Sequence, residues 1–248
     1  MNDQELLRYS RHIMLSDFDV AGQEALLQSK VLVVGMGGLG CPVAMYLAAS
    51  GVGELHLADD DLVDLSNLQR QIAHTVADIG SLKVDSVKNT IAALNPEVAI
   101  QSYPTRLAGD ALSAAVAAVD LVVDASDNFS TRFAINLACL KNKVPLVSGA
   151  AIRTEGQVAV FDPNKPESPC YRCLYSDQDD TALNCSESGV LAPLVGMVGS
   201  IQAIEALKCL ANYGETLAGR LLLIDAKYMS LRELQLPKDP LCPACGVG

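Results

Sequence analysis

Short apolar runs alternate with longer stretches of helical periodicity from Lys30 to Ser148. Lys30-Val-Leu-Val-Val34, Glu54-Leu-His-Leu-Ala-Asp59, Val98 to Tyr103, Asp120-Leu-Val-Val-Asp124 and Val144-Pro-Leu-Val-Ser148 read as strands. The continuous runs among them lack polar alternation, which marks strands covered on both faces. Between them, Cys41 to Ser50, Gly80 to Leu94, Gly109 to Ala118 and about Ser130 to Lys141 carry the spacing of helices. Residues 1–29 mix charged and apolar positions and predict one or two short helices ahead of the sheet. Beyond Ser148 the pattern changes. Gly156-Gln-Val-Ala-Val-Phe161, Leu221 to Asp225 and Leu231 to Leu236 predict antiparallel additions. The expectation is a doubly wound, mostly parallel α/β sheet with an antiparallel C-terminal extension. It would form one domain over 1–248, divided into N-terminal helices (1–29), a ligand-binding sheet (30–150) and a mixed C-terminal part (151–248). Val190 to Ile204 predicts a buried or subunit-interface helix, and the aspartate-rich stretch Tyr175 to Glu187 a mobile segment.

The first strand runs into Gly35-Met-Gly-Gly-Leu-Gly40, the GxGxxG turn of Rossmann-like dinucleotide folds. Glycines there permit a tight turn and let backbone N–H groups approach a pyrophosphate at a helix N-terminus. Asp59 closes the second strand and is placed to accept hydrogen bonds from a ribose. The turn alone is a weak signal, matched by glycine turns that serve packing. The strand before it, the helix after it and the acidic residue make it a nucleotide site. Ser66-Asn-Leu-Gln-Arg-Gln71 and Lys83 then add two cations and several amides. A nicotinamide cofactor leaves such a set little to do, whereas transfer from ATP develops charge on departing pyrophosphate that Arg and Lys stabilise. The bland reading of this segment is a solvated helix face. Asp127-Asn128 follows the fourth strand, where a carboxylate can hold magnesium (Mg²⁺) beside phosphates. Either residue could instead cap the next helix.

Composition narrows the ligand classes. With 18 Lys+Arg against 29 Asp+Glu, the 248-residue chain carries a formal charge of −11, which argues against general nucleic-acid or anionic-membrane binding. The N-terminus is charged and lacks a signal-peptide core, so a reducing, cytoplasmic setting is expected for the eight cysteines. Cys170-Tyr-Arg-Cys173 and Cys242-Pro-Ala-Cys245 are two CxxC pairs. Two such knuckles make a closed Cys₄ site for structural zinc (Zn²⁺), here tying the C-terminus to the middle of the chain. A thioredoxin-like redox pair is the rival reading of either one, and the presence of two favours metal.

Arg8-Tyr-Ser-Arg11, the glycine turn, Leu65-Ser-Asn-Leu-Gln-Arg-Gln71, Asp127-Asn128 and the CxxC pairs together resemble the bacterial members of the ubiquitin-activating-enzyme superfamily. These include molybdopterin-synthase and thiamine-pathway adenylyltransferases, and Val147 to Gln157 looks closer to the molybdopterin type. The resemblance spans essentially the whole chain. It implies ATP-dependent adenylation of the C-terminal glycine of a ubiquitin-like sulfur-carrier protein ending in Gly-Gly. By the same resemblance, Gly38 approaches ATP, Asp59 holds the ribose, and Asn67, Arg70 and Lys83 contact the phosphates, with Ser66, Leu68, Gln69 and Asn128 beside them. Asp127 matches a magnesium-binding aspartate. Arg11 matches an arginine that enters the partner subunit's site, which implies a homodimer.

Cys185, in Leu183-Asn-Cys-Ser-Glu187, matches a cysteine that some relatives use to take the activated carboxylate, and a separate sulfur-donor protein is then a further partner. Its alternative is an inert loop thiol. Cys41, Cys139 and Cys209 read as core residues, and none of His12, His56 and His74 is assigned a chemical role. Two other functions stay open at this point: an NAD-linked oxidoreductase on the same fold, and a catalytically inactive, zinc-stapled binding module.

Overall fold

A computed structural model describes residues 1–175 and 189–246. Its centre is an eight-stranded sheet in the order β3-β2-β1-β4-β5-β6-β7-β8. Strands β1 (Lys30–Val34), β2 (Glu54–Ala58), β3 (Ala99–Tyr103), β4 (Leu121–Asp124) and β5 (Leu146–Ile152) are parallel. Strands β6 (Glu155–Phe161), β7 (Arg220–Asp225) and β8 (Ser230–Gln235) continue the sheet antiparallel. Val31, Leu32, Val33, Leu121, Val122 and Val123 are wholly excluded from solvent, as continuous apolar runs on central strands require. Successive residues of β1 serve opposite layers. Val31 and Val33 pack under α4 (Gly40–Ala49), α5 (Lys83–Leu94) and α9 (Ala192–Ala211), and Leu32 and Val34 under α6 (Gly109–Ala117) and α7 (Phe129–Asn142).

Four elements depart most from the expected ones. The N-terminal segment forms three helices, α1 (Asp3–Arg8), α2 (Ser10–Ile13) and α3 (Asp19–Gln28), rather than one or two. They are anchored by Tyr9, whose hydroxyl accepts from Asn95 Nδ2 at 2.9 Å. Helix α5 starts at Lys83 instead of Gly80, because Gly80 takes φ +86° and Leu82 pairs with Leu62 in an isolated bridge. Strand β5 runs on to Ile152, since its antiparallel pairing with β6 extends beyond the contact with β4. The apolar segment after Val190 forms the 20-residue α9, which continues past Ile204. By length and composition α9 could cross a membrane. Here it is a core helix: Leu194, Val198 and Ala206 are fully buried. Its buried Glu205 accepts the Leu217 N–H at 2.7 Å and pairs with Lys208. Apart from Tyr175, the expected mobile segment lies outside the described residues.

The order reverses at β1, with β2 on one side and β4 on the other. Loops leaving β1 and β4 diverge there, opening the crevice in which such sheets collect ligands.

Candidate active site

The glycine turn is closed by contact that excludes side chains. Gly35 has φ +94°, and a Cβ on Gly40 would sit 1.7 Å from the Gly35 carbonyl oxygen. Asp59 secures the turn, its Oδ2 accepting the Met36 N–H at 2.6 Å and its Oδ1 the Asp61 N–H at 2.8 Å. Burial raises the Asp59 carboxyl above the usual carboxylate range.

Beside the turn lies a cavity of about 380 Å³ whose lining includes Gly37, Gly38, Asp59, Arg70, Lys83, Asp127 and Asn128. The volume is within the range of small-ligand sites. The β2–α5 connection supplies two of the cations. Asp64 caps a 3-10 turn over Leu65–Asn67, accepting the Ser66 N–H at 2.8 Å, and the Ser66 hydrogen bonds hold its carboxyl below the usual range. Arg70 then folds back to donate to the Ser66 carbonyl at 3.1 Å. Ser66 and Gln69 are exposed and Asn67 and Leu68 half-buried on this turn, and none of the four lines the cavity. Lys83 is 5% exposed and pairs with Asp61 Oδ2 at 2.7 Å. Across the cavity, Asp127 is exposed and Asn128 caps α7, accepting the Thr131 N–H at 2.9 Å. Asn128 therefore caps the helix while lining the cavity.

Sequence reading missed Arg106, Arg132 and Asp124. Arg106 and Arg132 also line the cavity, bringing its cations to four with Arg70 and Lys83. Arg106 bridges Asn128 Oδ1 (3.0 Å) and Thr131 Oγ1 (2.9 Å). Arg132 donates to the Ser126 carbonyl at 2.7 Å and faces Asp124. Asp124 is fully buried, accepts from the Ser126 N–H and hydroxyl, and has its carboxyl raised by burial. Arg132 lies just over one helical turn beyond Asn128, a spacing that could have flagged it. Arg106 follows a strand end with no local pattern to mark it. Four carboxylates, Asp59, Asp60, Asp61 and Asp127, share the lining with the four cations, so together with the glycine-turn N–H groups the site suits a polyphosphate accompanied by a divalent cation.

Arg11 is exposed on α2 and is not part of the cavity lining of its own chain. Cys185 lies outside the described residues. Cys41, Cys139 and Cys209 occupy helices, and burial pushes the thiols of Cys41 and Cys209 up to about 12 and that of Cys139 upward too, as inert core residues require.

The CxxC pairs meet. The sulfurs of Cys170, Cys173, Cys242 and Cys245 all lie within 4.8 Å of one another. Cys170 approaches Cys242 at 3.7 Å and Cys173 approaches Cys245 at 3.4 Å. Tetrahedral zinc with thiolate ligands sets sulfurs about 3.8 Å apart, so the donor set fits. The short contacts run between the two motifs, which independent redox pairs would not need. Asn136 donates from Nδ2 to Cys170 Sγ at 3.7 Å and accepts the Tyr171 N–H at 2.9 Å, the outer-shell support typical of metal ligands.

Residues 9–244 match the model of the ThiF family. The chain belongs to the ThiF family. Among this ThiF-family chain's relatives, the molybdopterin-synthase adenylyltransferase of Salmonella typhimurium is 49% identical over 246 residues, covering 99% of this chain and 98% of that protein. The sulfur carrier protein ThiS adenylyltransferase of Escherichia coli is 46% identical, covering 99% and 97%. In fold, the ThiF-family chain resembles E. coli MccB, with a TM-score of 0.84 and 23% identity over 97% of this chain and 74% of that one.

Proposed function

We propose that the chain is an adenylyltransferase that uses ATP to activate the C-terminal glycine of a ubiquitin-like sulfur-carrier protein ending in Gly-Gly. The observation that carries this reading is the four-cation cavity beside the glycine turn, in a chain nearly half identical, end to end, to named adenylyltransferases. The whole of 1–248 serves as one catalytic domain in the cytoplasm, for molybdopterin or thiamine synthesis or related sulfur transfer.

Glycine-turn N–H groups beside Gly38 hold phosphate oxygens, Asp59 accepts the ribose hydroxyls, and Arg70 and Lys83 bind the triphosphate, with Asn67 supporting Arg70 from the turn outside the cavity wall. Ser66, Leu68 and Gln69 shape the turn that presents Arg70, and Asn128 holds the far wall. The incoming carboxylate is ionised at neutral pH and needs no general base. One of its oxygens bonds to the α-phosphorus as the bond to the bridging oxygen of pyrophosphate breaks, and both electrons leave with pyrophosphate. The barrier lies in bringing two anions together, so cations and positioning carry the catalysis. Magnesium, when bound with ATP, neutralises phosphate charge, and Asp127 is the carboxylate placed to hold it. Zinc held by the four cysteines is structural, because a closed Cys₄ set leaves no position for water. Arg11, outside its own cavity, serves the site of the other subunit in a homodimer. When a sulfur-donor protein follows, the Cys185 thiolate attacks the acyl adenylate, forming a thioester as the bond to AMP breaks and AMP leaves.

Carrier-dependent exchange of labelled pyrophosphate into ATP tests the reaction; no exchange with any Gly-Gly carrier would sink it. Arg11→Ala and Lys83→Ala are each expected to lower exchange by about 10²-fold or more. Mixing the two variants should restore part of it, and no recovery would count against sites shared across a dimer. Cys185→Ala should leave exchange intact and stop downstream sulfur transfer.

A further inference from the structure

Beneath the glycine turn lies a buried group that this chemistry does not use. His74 is 6% exposed, with Nε2 3.1 Å from the Met36 carbonyl oxygen and Nδ1 2.8 Å from Ser86 Oγ. A carbonyl oxygen only accepts, so Nε2 must carry the hydrogen. In a neutral ring Nδ1 then offers its lone pair, and the Ser86 hydroxyl donates to it. Burial favours the neutral ring. Cys41 Sγ lies 3.4 Å from the same carbonyl and reinforces the grip.

Met36 lies within the turn, and its two flanking peptides are pinned by different residues. Asp59 holds its N–H and His74 its C=O. The carbonyl of Met36 and the N–H of Gly37 belong to one trans peptide and point in opposite directions. Drawing that carbonyl inward against His74 turns the Gly37 N–H outward, and Gly37 lines the cavity. The His74 backbone N–H also donates to the Gln71 carbonyl at 3.1 Å, next to Arg70. The imidazole thus joins the phosphate-facing turn to the segment that carries an arginine.

We infer that His74, neutral and protonated on Nε2, is a positioning residue that aims the Gly37 N–H at the nucleotide phosphates. This rests on the reading of the cavity as an ATP site. A glutamine at this position can present an amide N–H where the ring presents Nε2–H, whereas alanine leaves the Met36 peptide free to rotate.

The test is equilibrium binding of α,β-methylene-ATP to the full chain, with zinc content and melting temperature recorded for every variant. His74→Ala is expected to bind the analogue about tenfold or more weakly, and His74→Gln to stay within about threefold of wild type. In exchange kinetics His74→Ala should raise KM for ATP and leave KM for the carrier unchanged. Should His74→Ala fail to fold, nitrogen-15 spectra of wild type decide. The His74 ring should be neutral with Nε2 protonated at pH 7, and its signals should shift when the analogue binds. Alanine binding as well as wild type, glutamine binding as poorly as alanine, or a cationic or Nδ1-protonated ring would overturn the inference. If wild type itself does not bind the analogue, the ATP-site reading falls and takes this inference with it. If wild type binds and His74→Ala binds equally, this inference alone falls.

Discussion

Lys83 sits where stability alone would not put it. It opens α5, so its ammonium meets the positive end of the helix dipole, and it is buried with, among the described residues, the exposed Asp61 carboxylate as its one ion-pair partner. An anion bound in the cavity would relieve both costs, the tension expected of a residue kept for chemistry. Asp59 makes a related claim that can be separated from folding. Removing both ribose hydroxyls from ATP should weaken binding to wild type by about tenfold or more, whereas Asp59→Ala, which also loosens the turn and so weakens both nucleotides, should bind the two within about threefold of each other. Binding titrations of the two nucleotides against the two proteins check this. His74 also predicts a pH dependence. Its folded pKa is lowered by burial and by Lys83, opposed by the Met36 hydrogen bond and by Asp78 and Asp59. Above its unfolded value near 6.5 the ring is neutral in both states and adds no pH dependence. Below it the unfolded chain binds the proton first, so stability should fall as the pH is lowered, with about 1.4 kcal/mol per pH unit the ceiling for one proton. Urea midpoints from pH 7.5 to 5.5 should show this decline, and His74→Gln should flatten it.

At the level of elements, β1, β4 and β5 were legible as short, largely apolar runs, whereas β2 with His56 and β3 with Gln101 and Ser102 were legible from their place in the strand–helix alternation. Helix starts were less so. Gly80, Ser81 and Leu82 fit the helical period of α5, but Leu82 is taken by a bridge to Leu62 and Gly80 by a left-handed turn, tertiary pairings that periodicity does not contain. The N-terminal segment splits at Tyr9 because that ring is buried against Gly51 and Asn95. The β1–α4 turn is the most constrained element. Gly40→Ala would drive a methyl into the Gly35 carbonyl, and a loss of about 3 kcal/mol or more in urea unfolding is expected, against nearly none for an alanine at Gly196, where a Cβ meets open space.

Across the whole molecule, the cysteine cluster ties residues 170–175, packed on α7, to the C-terminal segment around Cys242 and Cys245. Zinc removal should lower the unfolding temperature by about 5–10 °C and speed proteolysis after residue 236. A melting curve and digest unchanged by chelation of bound zinc would contradict the staple. The CxxC spacing was enough to single out these four cysteines, but their closeness depends on β6, β7 and β8 returning the chain to α7. The same holds for the nucleotide site. Glycine turn, Asp59 and Lys83 were readable because their local chemistry is unusual, whereas Arg106 and Arg132 reach the cavity through the ends of β3 and β4.

By itself the sequence determined the alternation of strands and helices, the glycine turn and the two thiol knuckles, since each rests on contacts within a few residues. Tertiary structure alone decided that α9 is a core helix, that four cations share one cavity, and that a histidine without an evident role grips the glycine turn. Those outcomes depend on which strand lies beside which, and the placement of β4 against β1 joins segments about ninety residues apart.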